Sequence, residues 1–393
     1  MKLLFLSQNA GFQGGLEQFQ FQAAKLLRQN GFEIDIAYVN LIRSANQFLK
    51  VFNRKITIQQ ALEPPPTCDL AIIHDITDLA LLEKITAHFP RLSLFQHGHL
   101  LHCPKASTTP IFSDACCTQT YSRLKCAVCA FRTPALPSAN GLFGTFQELL
   151  FDFPKRIDIY KRIPLVFVLS QYMRDTLLLN GFKPEQVRIL HPFICAPCKK
   201  QISHTSENNS KLVRLLLVGP ITRNIGGELL IRILQLLRSD YRLSVVGEGS
   251  DRKRLQQLVH EAGLDNKVTF TGWQANMNNV YAKHDIVLMP SRGQEPFGHV
   301  GLEAAAHGLP VIAFDLGGCR EYITDRLNGF LIKELDITSF AQRLDYLISN
   351  SDERIDMGNG GRAIATKFFA PHVFIKSVNR LMNHTLPHLF PQS

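Results

Sequence analysis

Glu295 and Glu303 stand with seven residues between them, and Pro296-Phe297-Gly298 follows directly on the first. The second opens a run of small residues, Glu303-Ala-Ala-Ala-His-Gly-Leu-Pro310. Ahead of the pair, Asp285–Ser291 reads as a buried strand closed by a turn, and behind it Val311–Gly318 reads as a second strand and a glycine turn. The unit is therefore strand, loop, helix, strand, with Glu295 where the helix begins and Glu303 about two turns inside it.

This spacing has a chemical use. Gly298 is expected near a helix N-terminus, where free N–H groups and the dipole favour an anion. Helical side chains lean toward the N-terminus, so Glu303 can reach a ligand lying over that end, while Glu295 in the loop touches another part of it. An anion on the backbone with a carboxylate at each side suits a sugar nucleotide, with its diphosphate in the middle and hydroxyls at both ends. Two glutamates alone would read as an acidic helix start and one buried, satisfied carboxylate. Their register with Pro-Phe-Gly, the alanine run and Gly317-Gly318 favours the ligand reading.

The elements that carry the pair repeat along the chain. Lys2–Ser7 reads as a strand, Gln8–Gly15 as a glycine loop and Leu16–Gln29 as a helix, with Phe19, Ala23, Leu26 and Leu27 on one face. Glu33–Val39, Cys68–His74, Leu92–Gln96 and Leu165–Ser170 read as further strands. Residues 196–211 are polar, carry no apolar pattern and read as a linker. The alternation then restarts: Leu212–Val218, Leu243–Gly247 and Lys267–Gly272 read as strands, with a helix over Glu228–Arg238. The fold class is α/β, two Rossmann-like doubly wound parallel sheets facing a central cleft. The expected division is 1–195, a linker 196–211, a second domain 212–370 and a helical tail 371–393 that packs back on the first domain.

Composition narrows the class. The chain has 393 residues, 45% hydrophobic and 19% charged, as in an ordinary globular protein of two to three domains. Its formal net charge of +10 suits phosphorylated ligands or an anionic membrane surface. No block of five basic residues and no nucleic-acid signature occurs, so nucleic acid is not an expected partner. The apolar run at Met1–Ser7 is too short for a signal peptide, and no run reaches the roughly 20 residues of a membrane span. A cytoplasmic location, peripheral on the membrane face, is expected. Cys103, Cys116, Cys117, Cys126 and Cys129 crowd one segment, either as buried free thiols or as a metal site built on Cys126-x-x-Cys129.

With these motifs in order, almost the whole chain resembles a retaining glycosyltransferase of the two-Rossmann-domain (GT-B) type, in family 4. The resemblance rests on the E-x7-E block and on Val218-Gly219, Gly247-Glu-Gly249, Val268-x-Phe-x-Gly272-Trp273 and Asp325-x-x-Asn328-Gly329. In the first half it rests on Gly14-Gly15-x-Glu17, Gln96-His97-Gly98-His99 with Cys103-Pro104, Ser170-x-Tyr-Met-Arg-Asp175 and Leu190-His191-Pro192-Phe193. It implies transfer of a hexose from UDP- or GDP-hexose to a saccharide or lipid-linked acceptor, with retained configuration and no further cofactor. It implies Glu295 on sugar hydroxyls, Glu303 on the ribose, and N–H groups of Phe297, Gly298, His299 and Val300 near sugar or phosphate. Gly219 and Gly247 belong to the donor site. Gly14 and Gly15 would let backbone approach the diphosphate, and His97 would stand beside the reacting sugar carbon. No Asp-x-Asp occurs in the chain, which fits the metal-independent type.

One departure matters. The family carries Arg directly after the Val-Gly pair and Lys before the next glycine, whereas Pro220 and Ile225 occupy those positions here. Arg223, or Arg292 before Glu295, could substitute; Arg223 reads equally well as a solvated loop residue. Loss of both cations motivates a second reading, a degenerate fold that binds nucleotide-sugar or a partner without transfer. Trp273 reads as packing and not as a sugar platform.

Overall fold

The computed structural model describes residues 1–12, 14–104, 117, 120–131, 147–194 and 212–386. They fall into two compact units. One is drawn from the first 192 residues and the segment from Pro371, the other mainly from Phe193–Ala370. The linker expected at 196–211 lies outside the described residues, as do Cys116 and the end of the tail.

The first unit is a seven-stranded sheet. Its strands are β1 (Lys2–Ala10), β2 (Glu33–Leu41), β3 (Lys55–Thr57), β4 (Leu70–His74), β5 (Leu92–Gln96), β6 (Leu165–Val168) and β7 (Val187–Ile189). All pair in parallel, in the order β3-β2-β1-β4-β5-β6-β7. Helices cover the faces of such a sheet, which is why β4, β5 and β6 are buried at every position and are mostly apolar, with Ser93, Gln96 and His74 as buried polar exceptions. The chain leaves β1 toward β2 and β3, then returns to β4 on the other side. The loops after β1 and β4 therefore diverge at a switch point, the usual ligand position in such sheets. Helix Pro371–Arg380 sets Phe374 edge-on to Phe19 of helix Gly15–Gln29, with ring centroids 6.1 Å apart.

The second unit repeats the plan with six strands: β8 (Val213–Val218), β9 (Tyr241–Val246), β10 (Val268–Gly272), β11 (Ile286–Met289), β12 (Val311–Phe314) and β13 (Gly329–Ile332). Their order is β10-β9-β8-β11-β12-β13, again parallel, with the switch point between β8 and β11. Leu215, Leu217, Ile233, Leu288, Ile312, Phe314 and Phe340 form its core.

The expected strands are present, with ends moved by pairing and not by hydrophobicity. β1 runs on to Ala10 because Asn9 and Ala10 pair with Asn40 and Leu41, although the apolar run ends earlier. The helix after β11 spans only His299–Ala306. Glu303 therefore lies just over one turn inside it, not two, and Glu295 stands in the loop four residues ahead. The cause is Gly298, which takes the N-cap in a left-handed conformation (φ 83°, ψ 59°) and holds Pro296-Phe297 outside the helix.

Candidate functional site

At the switch point of the second unit the loops after β8 and β11 touch. A methyl group on Gly226 would stand 1.7 Å from the Pro290 carbonyl oxygen, and the Arg292 N–H donates to the Asn224 carbonyl at 2.9 Å. Glu295 is gripped at both ends beside this junction. The Ser291 hydroxyl, almost wholly buried, donates to its Oε1 at 2.6 Å. The Gly318 N–H donates to its carbonyl at 2.7 Å. Burial pushes the Glu295 pKa up, and the Ser291 hydrogen bond opposes that shift.

Glu303 is held the same way. Tyr281, fully buried at the end of helix Met277–Tyr281, donates its hydroxyl to Glu303 Oε2 at 2.7 Å. Burial raises the Glu303 pKa and the phenol opposes it. Each carboxylate thus has one oxygen fixed by a hydroxyl. Phe297 has no exposed surface and packs on the rings of Tyr322, Phe369 and His299. Gly298 has no room for a side chain, since a methyl there would meet the Tyr322 hydroxyl at 2.6 Å. His299 is pushed down to about 4 by burial, so its imidazole is neutral near pH 7. Val300 is half-buried on the first helical turn. Tyr281 and Ser291 were not singled out from sequence; polar residues near strand ends give no periodic signal.

Gly219 and Gly247 brace each other at the ends of β8 and β9. The Gly219 N–H donates to the Val246 carbonyl at 3.1 Å, and a methyl on Gly247 would lie 2.0 Å from the Gly219 oxygen. Arg223 opens a short 3-10 turn, Arg223–Ile225, and is exposed. Ile225 packs against the core of the unit and against Gly219, and Pro220 is exposed, so neither place carries a cation. Glu228, in the first turn of helix Gly227–Leu236, is held low by its hydrogen bond from Arg254 (2.6 Å), with Arg292 and Arg223 adding to the positive field.

The other expected residues lie in the first unit. His97 is half-buried in a box of Phe19, Phe95 and His74, and His74 Nδ1 lies 3.0 Å from His97 Nε2. Burial pushes His74 down to about 3, so its ring is neutral near pH 7 where it meets His97. The Gly14 N–H donates to Glu17 Oε2 at 2.9 Å. Neither Gly14 nor Gly15 is needed for a left-handed backbone: Gly14 is extended (φ −161°), and a methyl on Gly15 would meet nothing within 4 Å. Asp75, the residue after β4, is left-handed (φ 52°), and burial reinforced by Glu17 raises its carboxyl to about 7. The Tyr160 hydroxyl donates to the Ile76 carbonyl and Arg156 Nη1 to the Thr77 carbonyl at 3.1 Å, pinning this turn.

Other expectations fare differently. Trp273 is 64% exposed. Cys103, Cys117, Cys126 and Cys129 are half-buried thiols, and among the described residues no His, Cys, Asp and Glu side chains gather in threes as metal ligands would. Among the described residues, no helix is long and apolar enough to cross a membrane.

Comparison with known proteins places this geometry. Residues 199–364 match the family described as Glycosyl transferases group 1. An uncharacterized glycosyltransferase of Methanocaldococcus jannaschii is 35% identical over 148 residues, 37% of this chain and 37% of that protein. A D-inositol 3-phosphate glycosyltransferase of Xylanimonas cellulosilytica is 31% identical over 160 residues, 39% of this chain and 38% of its own length. The lipopolysaccharide core biosynthesis glycosyltransferase LpsE of Rhizobium meliloti is 23% identical over 58% of this chain and 65% of its own. The chain thus spans between 37% and 65% of the length of these curated relatives. In solved structures, HepE of Anabaena in complex with UDP and glucose superposes with a TM-score of 0.73 over 97% of this chain and 99% of its own, at 19% identity. The apo lipopolysaccharide galactosyltransferase WaaB does so with 0.68 over 97% and 98%, at 17% identity. The fold is GT-B.

Proposed function

We propose that the chain is a retaining hexosyltransferase that takes a sugar from a nucleotide-sugar and passes it to an acceptor hydroxyl on a saccharide or lipid-linked saccharide. The observation that carries this reading is the pair Glu295 and Glu303, each with one oxygen fixed by a buried hydroxyl, flanking the start of helix His299–Ala306 at a switch point. Glu295 accepts from sugar hydroxyls and Glu303 from the ribose. Backbone N–H groups at Phe297–Val300 lie toward the anionic part. Gly219, Gly247 and Arg223 complete the donor side; in the first unit, the resemblance assigns Gly14 and Gly15 to a diphosphate and His97 to a reacting sugar. Catalysis in this scheme is placement together with stabilisation of leaving-group charge. The diphosphate is neutralised by N–H groups and guanidinium side chains, without a divalent ion.

UDP is the first donor base to test, because HepE was solved with UDP and UDP-glucose. Thermal melts with UDP, GDP and ADP, each with and without EDTA, test the reading. A rise with one nucleotide that survives EDTA supports it. Sugar release from the matching UDP- or GDP-hexose, abolished in Glu295→Ala, is the second requirement. An anionic membrane as acceptor surface and a cytoplasmic, membrane-peripheral location belong to the same proposal. Vesicle sedimentation checks the membrane part, and equal binding to neutral and anionic vesicles would refute it.

One observation favours a second reading. Ile225 is packed into the unit and Pro220 is exposed at the two positions where the resemblance implies cations. A protein that binds nucleotide-sugar without transferring it would tolerate that loss. Nucleotide binding with no turnover of any donor identifies this case.

A further inference from the structure

Around Glu303 the second unit closes a ring of contacts that donor binding alone does not require. Tyr281 gives its hydroxyl proton to Glu303 Oε2 at 2.7 Å. Its ring stacks on His307, with centroids 4.8 Å apart and planes 30° from parallel. His307 Nδ1 lies 2.7 Å from the Glu303 carbonyl and so donates to it, since a carbonyl can only accept. With Nδ1 protonated and the imidazole pushed toward neutrality by burial, Nε2 is the acceptor, and it faces the Asn278 side-chain amide at 3.1 Å. Asn278 and Tyr281 share helix Met277–Tyr281. The ring therefore runs from the Glu303 backbone through His307 and Tyr281 to the Glu303 carboxyl, and it ties two helices together.

The ring constrains one rotamer. A glutamate on a helix has three soft side-chain torsions, and a carboxylate waiting for a diol gains from having them settled beforehand. Among the described residues Tyr281 makes the only hydrogen bond to the Glu303 carboxyl, which leaves Oε1 without a protein donor. The phenol is itself fixed, because it is fully buried and its ring is clamped by His307.

We infer that Tyr281, locked by His307, is a positioning residue for donor recognition: it fixes Glu303 so that Oε1 is presented to the vicinal hydroxyls of a nucleoside diphosphate. The inference rests on the donor reading above and deepens it. It makes ribose recognition, not phosphate or base recognition, depend on a phenol that touches no ligand. Burial raises the Glu303 pKa and the Tyr281 hydrogen bond opposes this, so the same phenol favours the charged form of the acceptor.

The test is a binding matrix on the full chain. Wild type, Tyr281→Phe, Glu303→Gln and the double variant are titrated with UDP and with 2′,3′-dideoxy-UDP. Phenylalanine keeps the stack on His307 and removes only the hydroxyl. The expected result is about a tenfold loss of UDP affinity in Tyr281→Phe, the size of one charge-assisted hydrogen bond. Dideoxy-UDP affinity should be nearly unchanged, and Tyr281→Phe should add no loss in the Glu303→Gln background. Equal losses for both nucleotides, or additive losses in the double variant, would overturn the inference and leave Tyr281 a packing residue. If Tyr281→Phe melts below working temperature, His307→Phe carries the comparison, because it retains an aromatic stack and removes the bond to the Glu303 backbone; the same ribose-dependent loss is expected. Wild type that binds no nucleoside diphosphate, read in its own arm, sinks the donor reading and this inference with it.

Discussion

Gly317 lies so close to Glu295 that a methyl group on it would stand 2.2 Å from the Glu295 carbonyl oxygen and 2.7 Å from its nitrogen. Its φ of 60° adds the strain an L side chain meets in the left-handed region. The glycine turn after β12 is thus a mould for the loop that carries the first carboxylate. Gly317→Ala should cost about 1–3 kcal/mol and displace Glu295, with nucleotide-sugar turnover falling well beyond the loss in stability. Gly31→Ala supplies the control, with a φ of 86° and nothing within 4 Å of the added methyl. It should cost about 1 kcal/mol and leave turnover intact. Thermal melts and steady-state rates on the two variants decide it, and equal rates would show that the Gly317 turn does not position Glu295.

Ser291 opposes the upward shift that burial imposes on Glu295. Burial raises the carboxyl, and the Ser291 hydroxyl at 2.6 Å holds it down by favouring the ionised form. Only the carboxylate accepts hydrogen bonds through both oxygens, so activity should fall on the acid side as Glu295 protonates. Ser291→Ala removes the opposing bond, lifts the Glu295 pKa and moves the acid limb of kcat/KM to higher pH, with the alkaline plateau kept within a few fold. A uniform drop with an unmoved limb would mean that Ser291 only fills space.

Much of this was legible in the residues, and the reasons are specific. The E-x7-E block, Gly298 and Gly317-Gly318 are local in sequence, and their chemistry is carried by residue type and spacing, so β11, helix His299–Ala306 and β12 follow in order. Long apolar runs such as Leu70–His74 declare strands buried on both faces. The three-residue strands β3 and β7 do not, because so few residues carry no period. The partners of the carboxylates are harder still. Tyr281 lies 22 positions before Glu303 and meets it through the sheet, and Asp75 owes its pKa in part to Glu17, 58 positions earlier. Spacing cannot report contacts made by tertiary packing.

Arg223 is exposed near Arg292 and Arg254, on the loop where Pro220 and Ile225 carry no cation. If it contacts the diphosphate, Arg223→Ala should weaken UDP binding about tenfold at low salt, leave uridine binding unchanged, and lose much of that difference at high salt. Isothermal titration at two ionic strengths reads all three. Equal effects on UDP and uridine would place Arg223 away from the phosphates. Ile225→Lys is the reciprocal experiment: it should tighten UDP binding at some cost in stability, because Ile225 packs against the core.

Asp75 offers a prediction in which the sign can be worked through. Its carboxyl rises from 3.8 to about 7 because burial and Glu17 both disfavour the charged form. A raised acid binds its proton more tightly in the folded chain than in the unfolded one, so its contribution is fully present below about pH 4 and is lost as pH climbs through 7. Above that the ionised, buried carboxylate opposes folding by a few kcal/mol. Asp75→Asn removes the titration, and asparagine also tolerates the left-handed φ of 52°. The variant should gain little at pH 4, gain progressively up to pH 7, and keep a constant advantage above it. His74, pushed down to about 3, destabilises the fold as pH drops below 6.5, but it does so in both proteins and cancels in the difference. Asp75→Ala separates charge from backbone strain, since alanine loses the tolerance for that φ and should give back part of the gain at every pH. Urea denaturation from pH 4 to pH 8.5 measures the three curves. A difference between Asp75→Asn and wild type that does not grow with pH would mean that Asp75 is ionised in the fold, and the turn after β4 would then hold a charge that Arg156 or solvent neutralises.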